Sequence, residues 1–253
     1  MHIEVHGDGA DLVLIHGWAM HGGIFASLVD ALAPRFRVHV VDLPGHGCSR
    51  NETHFDIADA AARIARDTPR AIWAGWSLGG LVALRGALDA PAQVRGLVEI
   101  ASSPRFVAGD DWKFGVAFDV FEQFERDLQD DAKATIDRFL ALETLGCAQA
   151  QAQLRELGRI VFARGQPQAQ ALADGLHALE HTDLRDELAH LAMPSLWIAG
   201  RRDRLVHPQA MRWAAEHAPR GRVVEFNSGH APFLEFPREI ADAITAFDAE
   251  LPR

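Results

Sequence analysis

Five residues in the first half of the chain, Gly75-Trp76-Ser77-Leu78-Gly79, have the form G-x-S-x-G. A short apolar run, Arg70–Ala74, precedes them, and an amphipathic stretch, Gly80–Leu88, follows. Strand, tight turn and helix in that order hold a serine hydroxyl out into a cleft, with glycines permitting the sharp turn. A serine hydroxyl is a poor nucleophile until a base takes its proton. A histidine serves that purpose best when a carboxylate fixes its tautomer and stabilises the imidazolium. The C-terminal quarter supplies both. Asp203 lies in the loop Arg201–Val206 after the apolar run Ser195–Gly200, and His230 lies in Asn227–Phe233 after Val223–Phe226. Alone, Asp203 reads as a loop aspartate closing a turn, and His230 is one histidine of 13. Together they follow Ser77 in the order nucleophile, acid, base, each just beyond a strand, where open α/β sheets gather their chemistry. Glu99 is a second carboxylate for the acid's role. Asp42, ahead of the turn Leu43–Gly47, reads as a local hydrogen-bond partner.

Acyl transfer also needs donors for a tetrahedral oxyanion. The N–H of Leu78, next after the serine, is one. The N–H of Trp18 is the other, because His16-Gly17-Trp18 ends an early strand and Gly17 permits close backbone approach. Trp76, beside the serine, has no assigned role.

The elements that must position these groups alternate. Strands are expected at Ile3–His6, Leu12–His16, Arg37–Asp42, Ala71–Gly75 and Gly96–Ala101, with helices at Ile24–Leu32, Ile57–Arg66 and Leu78–Leu88. Short continuous apolar strands separated by helices make an α/β fold with a mostly parallel, doubly wound sheet. From about Ser103 to His190 no strand pattern occurs. Helices are expected there at Phe118–Leu128, Ala132–Leu142, Ala148–Val161 and Gln168–Leu179. Strands return at Ser195–Ala199 and Val223–Phe226, with helices at Pro208–His217 and Pro237–Phe247. The division expected is a core of residues 1–104 and 188–253 and a helical cap of residues 105–187.

Composition narrows the function classes. A net charge of −10 argues against general nucleic-acid binding, which wants a basic surface. No run of eighteen apolar residues offers a membrane span. Met1–Gly7 reads as a strand and lacks the apolar body of a signal peptide. The two cysteines, Cys48 and Cys147, form neither a disulfide framework nor a metal-ligand spacing. The expectation is a cytoplasmic monomer that needs no metal or other cofactor and meets neither membrane nor nucleic acid.

The chain resembles the α/β-hydrolase superfamily along its whole length, through His16-Gly17-Trp18, Asp42–Gly47, Gly75–Gly79, Asp203 and His230. Within it the chain is most similar to the pimeloyl-acyl-carrier-protein methyl ester esterases of biotin synthesis. The more specific matches are Trp73–Ala83, Ala101-Ser102-Ser103-Pro104, Arg138-Phe139-Leu140-Ala141-Leu142 and His230-Ala231-Pro232-Phe233. That resemblance implies hydrolysis of a methyl ester on pimeloyl-acyl carrier protein, releasing methanol. It implies a substrate site lined by Trp18, Ser77, Leu78, His230 and the segment Phe139, Leu140, Ala141, Leu142 and Glu143. It also implies that arginines of the cap, Arg138, Arg155 and Arg159, meet the acidic carrier protein, with small esters as side substrates. Two positions where the family has arginine are Ala134 and Gln151 here, and Lys133 stands beside the first. Phe139, Leu140 and Leu142 serve equally as core of a cap helix. The competing readings are a related hydrolase for another ester, a lactone or a C–C bond, and a ligand-binding relative without hydrolysis.

Overall fold

The computed structural model describes residues 1–147 and 149–252. Seven strands form one sheet: β1 (His2–His6), β2 (Ala10–Ile15), β3 (Phe36–Asp42), β4 (Ala71–Trp76), β5 (Val94–Ile100), β6 (Ser195–Gly200) and β7 (Gly221–Phe226). Their order is β1-β3-β2-β4-β5-β6-β7. Only β1 runs antiparallel to its neighbour; the other pairs are parallel. Every residue of β4 and β6 is buried, which is why these strands carry unbroken apolar runs: helices cover both faces. Those helices are α1 (Ala26–Leu32), α2 (Ile57–Asp67), α3 (Leu78–Asp89), α8 (Pro208–His217) and α10 (Pro237–Glu250), with a single turn, α9 (Pro232–Glu235), just after His230.

Between β5 and β6 lie the remaining helices: α4 (Phe118–Asp130), α5 (Ala132–Glu143), α6 (Ala150–Val161) and α7 (Ala169–His181). The two ends of this insertion meet. Arg105 and Asp183 form an antiparallel bridge, and Leu184 N donates to Pro104 O at 2.9 Å. Further ties bind the insertion to the sheet. Arg164 reaches Glu4 on β1 (3.0 Å) and Asp42 at the end of β3 (3.1 Å). The buried ring of His21 donates from Nε2 to Ile160 O at 2.8 Å.

Most boundaries differ from the sequence reading by a few residues, and two of them have a plain local reason. The helix expected from Ile24 opens as a 3-10 turn, Gly22–Phe25, because Gly22 N donates to Asp42 and Gly23 N to the His21 ring. β5 stops at Ile100 rather than Ala101, since Ala101 takes a φ of 43°. The helix expected from Ala148 begins at Ala150, and position 148 lies outside the described residues.

The turn from β4 into α3 leaves no room for side chains at its glycines. A Cβ on Gly75 would lie 2.2 Å from Gly79 O, and one on Gly79 would lie 2.3 Å from Ile15 O. Backbone atoms cannot yield as a flexible side chain can. Gly75→Ala should therefore cost about 1–3 kcal/mol, in the range of overpacked cores. Chemical denaturation measures this, and an unchanged midpoint would contradict the packing.

Candidate active site

Ser77 sits at the head of α3 with φ 54° and ψ −121°, a conformation side chains rarely adopt. Hydrogen bonds hold it there. Its N–H donates to Ile100 O (3.1 Å), and its carbonyl accepts from Gly80 N (2.9 Å) and the Ser102 hydroxyl (2.8 Å). The loops after β6 and β7 bring the other two groups to it. In the neutral ring of His230, Nδ1–H donates to Asp203 Oδ2 at 2.8 Å, and Nε2 accepts from the Ser77 hydroxyl at 3.0 Å. The second oxygen of Asp203 accepts from Leu205 N (2.8 Å) and Val206 N (3.0 Å), so the carboxylate cannot swing away. Burial works against charge on His230, but Asp203 outweighs it and lifts the imidazole above its ordinary value. A hydroxyl, imidazole and carboxylate so linked can activate an oxygen nucleophile and return the proton to a leaving group.

Glu99, the other carboxylate considered for the acid, goes elsewhere. It lies beside Gly80 and Ser102, where a Cβ on Gly80 would be 2.3 Å from its Oε2. It is not hydrogen-bonded to His230. Asp42 is a local anchor, accepting from Gly22 N (2.6 Å) and Cys48 N (2.7 Å).

The His16–Trp18 loop abuts the serine: a Cβ on Gly17 would lie 3.2 Å from Ser77 Cβ. His16 fixes this loop. Its Nδ1–H donates to Gly17 O (2.8 Å), and its Nε2 accepts from Leu43 N (2.9 Å). Burial, together with neighbouring His46, holds its pKa down to about 3, so it stays neutral. Among the described residues, neither the Trp18 nor the Leu78 backbone N–H has a hydrogen-bond acceptor.

The insertion roofs this arrangement. A Cβ on Gly175 of α7 would lie 2.8 Å from the Trp18 ring and 3.3 Å from Leu78. The Trp18 indole donates to Leu172 O (2.9 Å) and packs on Phe139 at 4.6 Å between centroids. Ser77, Asp203 and His230 are 2%, 3% and 1% exposed, so the site is sealed from solvent in this conformation. Phe139 and Leu140 are buried, and Leu142 is half-buried against the core. Ala141 is exposed, so the expectation that all of Phe139–Glu143 faces one site fails there. It sits on the helix face opposite the buried side chains, as the 3.6-residue period requires. Glu143 is fully buried, near enough to His230 and Asp203 to feel their charge.

Sequence reasoning left Trp76 unassigned and did not mark Leu172 or Gly175. The Trp76 indole donates to the carbonyl of His230 (2.9 Å) and meets Phe233 edge-on, so it braces the histidine loop. A glycine in mid-helix was the available signal for Gly175. The three arginines lie on α5 and α6, all exposed. Arg138 pairs with Asp127 (2.8 Å) and Arg159 with Glu156 (2.7 Å). Arg155 has no ion-pair partner among the described residues. Lys133 pairs with Asp137 (2.9 Å).

The family of the α/β hydrolase fold matches residues 12–237. Pimeloyl-[acyl-carrier protein] methyl ester esterase of Xanthomonas campestris pv. campestris is 54% identical, covering all of both chains. The protein of the same name from Stenotrophomonas maltophilia is 52% identical over 99% of this chain and 97% of its own. Among solved structures, an esterase from Exiguobacterium antarcticum superposes with a TM-score of 0.87 at 20% identity, covering 97% of this chain and 94% of its own. An enol-lactonase from Burkholderia xenovorans does so at 0.85 and 19%, covering 98% and 96%. Both share the fold. The chain belongs to the α/β-hydrolase family and, within it, to the pimeloyl-[acyl-carrier protein] methyl ester esterases. It is a carboxylic ester hydrolase.

Burial raises the Glu99 carboxyl well above its ordinary value, against a smaller lowering by Ser102. A group raised on folding stabilises fully below its unfolded pKa of about 4.5 and loses that contribution as pH climbs toward the folded value. Glu99→Gln has no such titration. The variant's Tm should rise relative to wild type between pH 5 and 8; a constant difference would mean that Glu99 is ionised in the fold.

Proposed function

We propose that this enzyme hydrolyses the methyl ester of pimeloyl-acyl carrier protein to methanol and pimeloyl-acyl carrier protein in biotin synthesis, with Ser77, His230 and Asp203 as its triad. The observation that carries this reading is the hydrogen-bonded chain from Ser77 through His230 to Asp203, sealed beneath α5 and α7. Ser77 Oγ attacks the ester carbonyl carbon while His230 Nε2 takes its proton. The carbonyl oxygen becomes an oxyanion held by the Trp18 and Leu78 N–H groups. The C–O bond to methoxide breaks, and the imidazolium supplies the proton that makes methanol. Water then attacks the acyl-serine, giving its proton to His230, and the acid leaves as Ser77 regains its hydrogen. No metal or other cofactor enters these steps. Residues 105–187 act as a cap whose Phe139 and Leu142, with Trp18 and Leu78, form the apolar wall for the acyl chain.

No helix among the described residues is long and apolar enough to cross a membrane. The setting proposed is the cytoplasm, with the enzyme acting as a monomer on an acidic carrier. Arg155, without a carboxylate partner among the described residues, is the strongest of the docking arginines. Arg138 and Arg159 must exchange an internal carboxylate for the carrier's, which lowers their net worth.

The test of the whole reading is restoration of biotin-free growth in a host lacking its own esterase. Ser77→Ala should not restore it, and should retain in vitro only the roughly 10³–10⁴-fold rate over water that binding and the oxyanion hole supply. Asp203→Asn should lose about 10⁴-fold in turnover through the wrong tautomer. Because only neutral His230 accepts the serine proton, kcat/KM of wild type should fall on the acid side, with its midpoint above the ordinary value of about 6.5. Near-full activity of Ser77→Ala, or a silent Asp203→Asn, would overturn the assignment.

Charge reversal of Arg155 and Arg159 together should raise KM for the acyl-carrier substrate, more at low salt than at high, since exposed charges are screened. Hydrolysis of a p-nitrophenyl ester should hardly change. Equal losses on both substrates would place these arginines in the structural framework instead.

A further inference from the structure

Glu143, the last residue of α5, is 2% exposed, and its two oxygens are both without a hydrogen-bond partner among the described residues. A carboxyl group left in that state is costly, and the reaction steps above do not use it. Its position follows from the turn after it. Gly146 rests on Arg202, where a Cβ would be 2.3 Å from the Arg202 carbonyl. Cys147 rests on Gly229, whose Cβ would be 2.3 Å from the thiol sulfur. That turn therefore sits on the loops carrying Asp203 and His230, with Glu143 immediately before it.

The charged groups acting on Glu143 are His230 and Asp203. Arg202 and Glu235, on the neighbouring elements, act on Cys147 instead, whose thiol burial pushes up to about 11 and so keeps neutral. Burial, against a lowering by His230 and with a further rise from Asp203, brings the Glu143 carboxyl to about 8. That shift favours the uncharged acid at neutral pH, and among the described residues no lysine or arginine acts on it to offset the charge once it ionises.

We propose that Glu143 sets the affinity of this site for carboxylate chain ends: uncharged it tolerates one, and ionised it expels one, while uncharged esters are unaffected. The proposal rests on Ser77 as the point of ester cleavage. Hydrolysis converts a neutral ester into a carboxylate beside Ser77, in a buried space that already holds the Asp203 anion. While Glu143 keeps its proton, it can share that proton with the product, as paired carboxyls do. Once its proton passes to solvent, two anions on the protein face the product against one imidazole. At the low effective dielectric of such a site, that repulsion amounts to roughly tenfold or more in binding.

The experiment is inhibition of p-nitrophenyl acetate hydrolysis by heptanoate between pH 6.5 and 9.5, with heptanamide as the uncharged control. Titration of His230 gives one rise of the heptanoate Ki with pH in wild type and, somewhat lower in pH, in the variants, which lack the Glu143 charge. Wild type should show a second rise of about tenfold near pH 8. Glu143→Gln should lack it, and so should Glu143→Leu, which buries no polar group and serves if the amide folds poorly. Heptanamide should show no step in any of them. The same heptanoate profile in wild type and either variant, or a wild-type profile without the second rise, would overturn the proposal. A wild type that shows the step yet fails on the pimeloyl-carrier methyl ester would sink that substrate reading and leave this one standing.

Discussion

The structure hangs on one backbone turn. Ser77 takes φ 54° so that its hydroxyl faces the ends of the loops rather than the core. That conformation is costly for a residue with a Cβ. It is held from three sides, by the carbonyl of Ile100, the N–H of Gly80 and the hydroxyl of Ser102. It also needs glycines at 75, 79 and 80, because α3 then passes so close to β4, β2 and β5 that no side chain fits between them. Every residue of β4, the strand that leads into the turn, is buried between α3 and the helices on the other face.

Around that turn, rigidity is distributed among neutral polar groups rather than ion pairs. His16, uncharged through burial, ties the Gly17–Trp18 loop to the end of β3. Trp76 ties the His230 loop to β4, and two backbone N–H groups tie down Asp203. Beside Ser77 and His230, Asp203 is a carboxylate with both oxygens engaged. Glu99 and Glu143, both buried, are held toward their neutral forms, so the site does not carry three anions at once.

The insertion is a second layer with its own logic. It contacts the core through small or aromatic groups at the site, Gly175 on Trp18 and Leu78 and Phe139 on Trp18, and through charged ties further out, Arg164 to Glu4 and Asp42. Close packing at the centre keeps water from the serine. The insertion is therefore tied to the core both over Ser77 and His230 and at the edge of the sheet. Its outer helices carry arginines already matched by carboxylates at Arg138 and Arg159, whereas Arg155 has no such partner among the described residues.

Much of this was legible in the residues alone. The alternation of apolar runs and amphipathic stretches determined the α/β sheet, since a strand covered on both faces must be apolar throughout. The absence of strand pattern between Ser103 and His190 determined a helical insertion. The G-x-S-x-G turn, with an aspartate and a histidine beyond later strands, determined which side chains to consider for the site. Chain order favoured Asp203 over Glu99, but only the fold decides which way each carboxylate points from its strand end: Glu99 is turned under α3, and Asp203 is turned over the sheet toward His230. Nor could the sequence show that Ala141 faces outward while Glu143 is buried with no hydrogen-bond partner among the described residues, or that Trp76 braces the histidine loop. Those are contacts between segments up to about 150 residues apart. Local pattern records how a segment must be covered, and only the assembled fold decides by what.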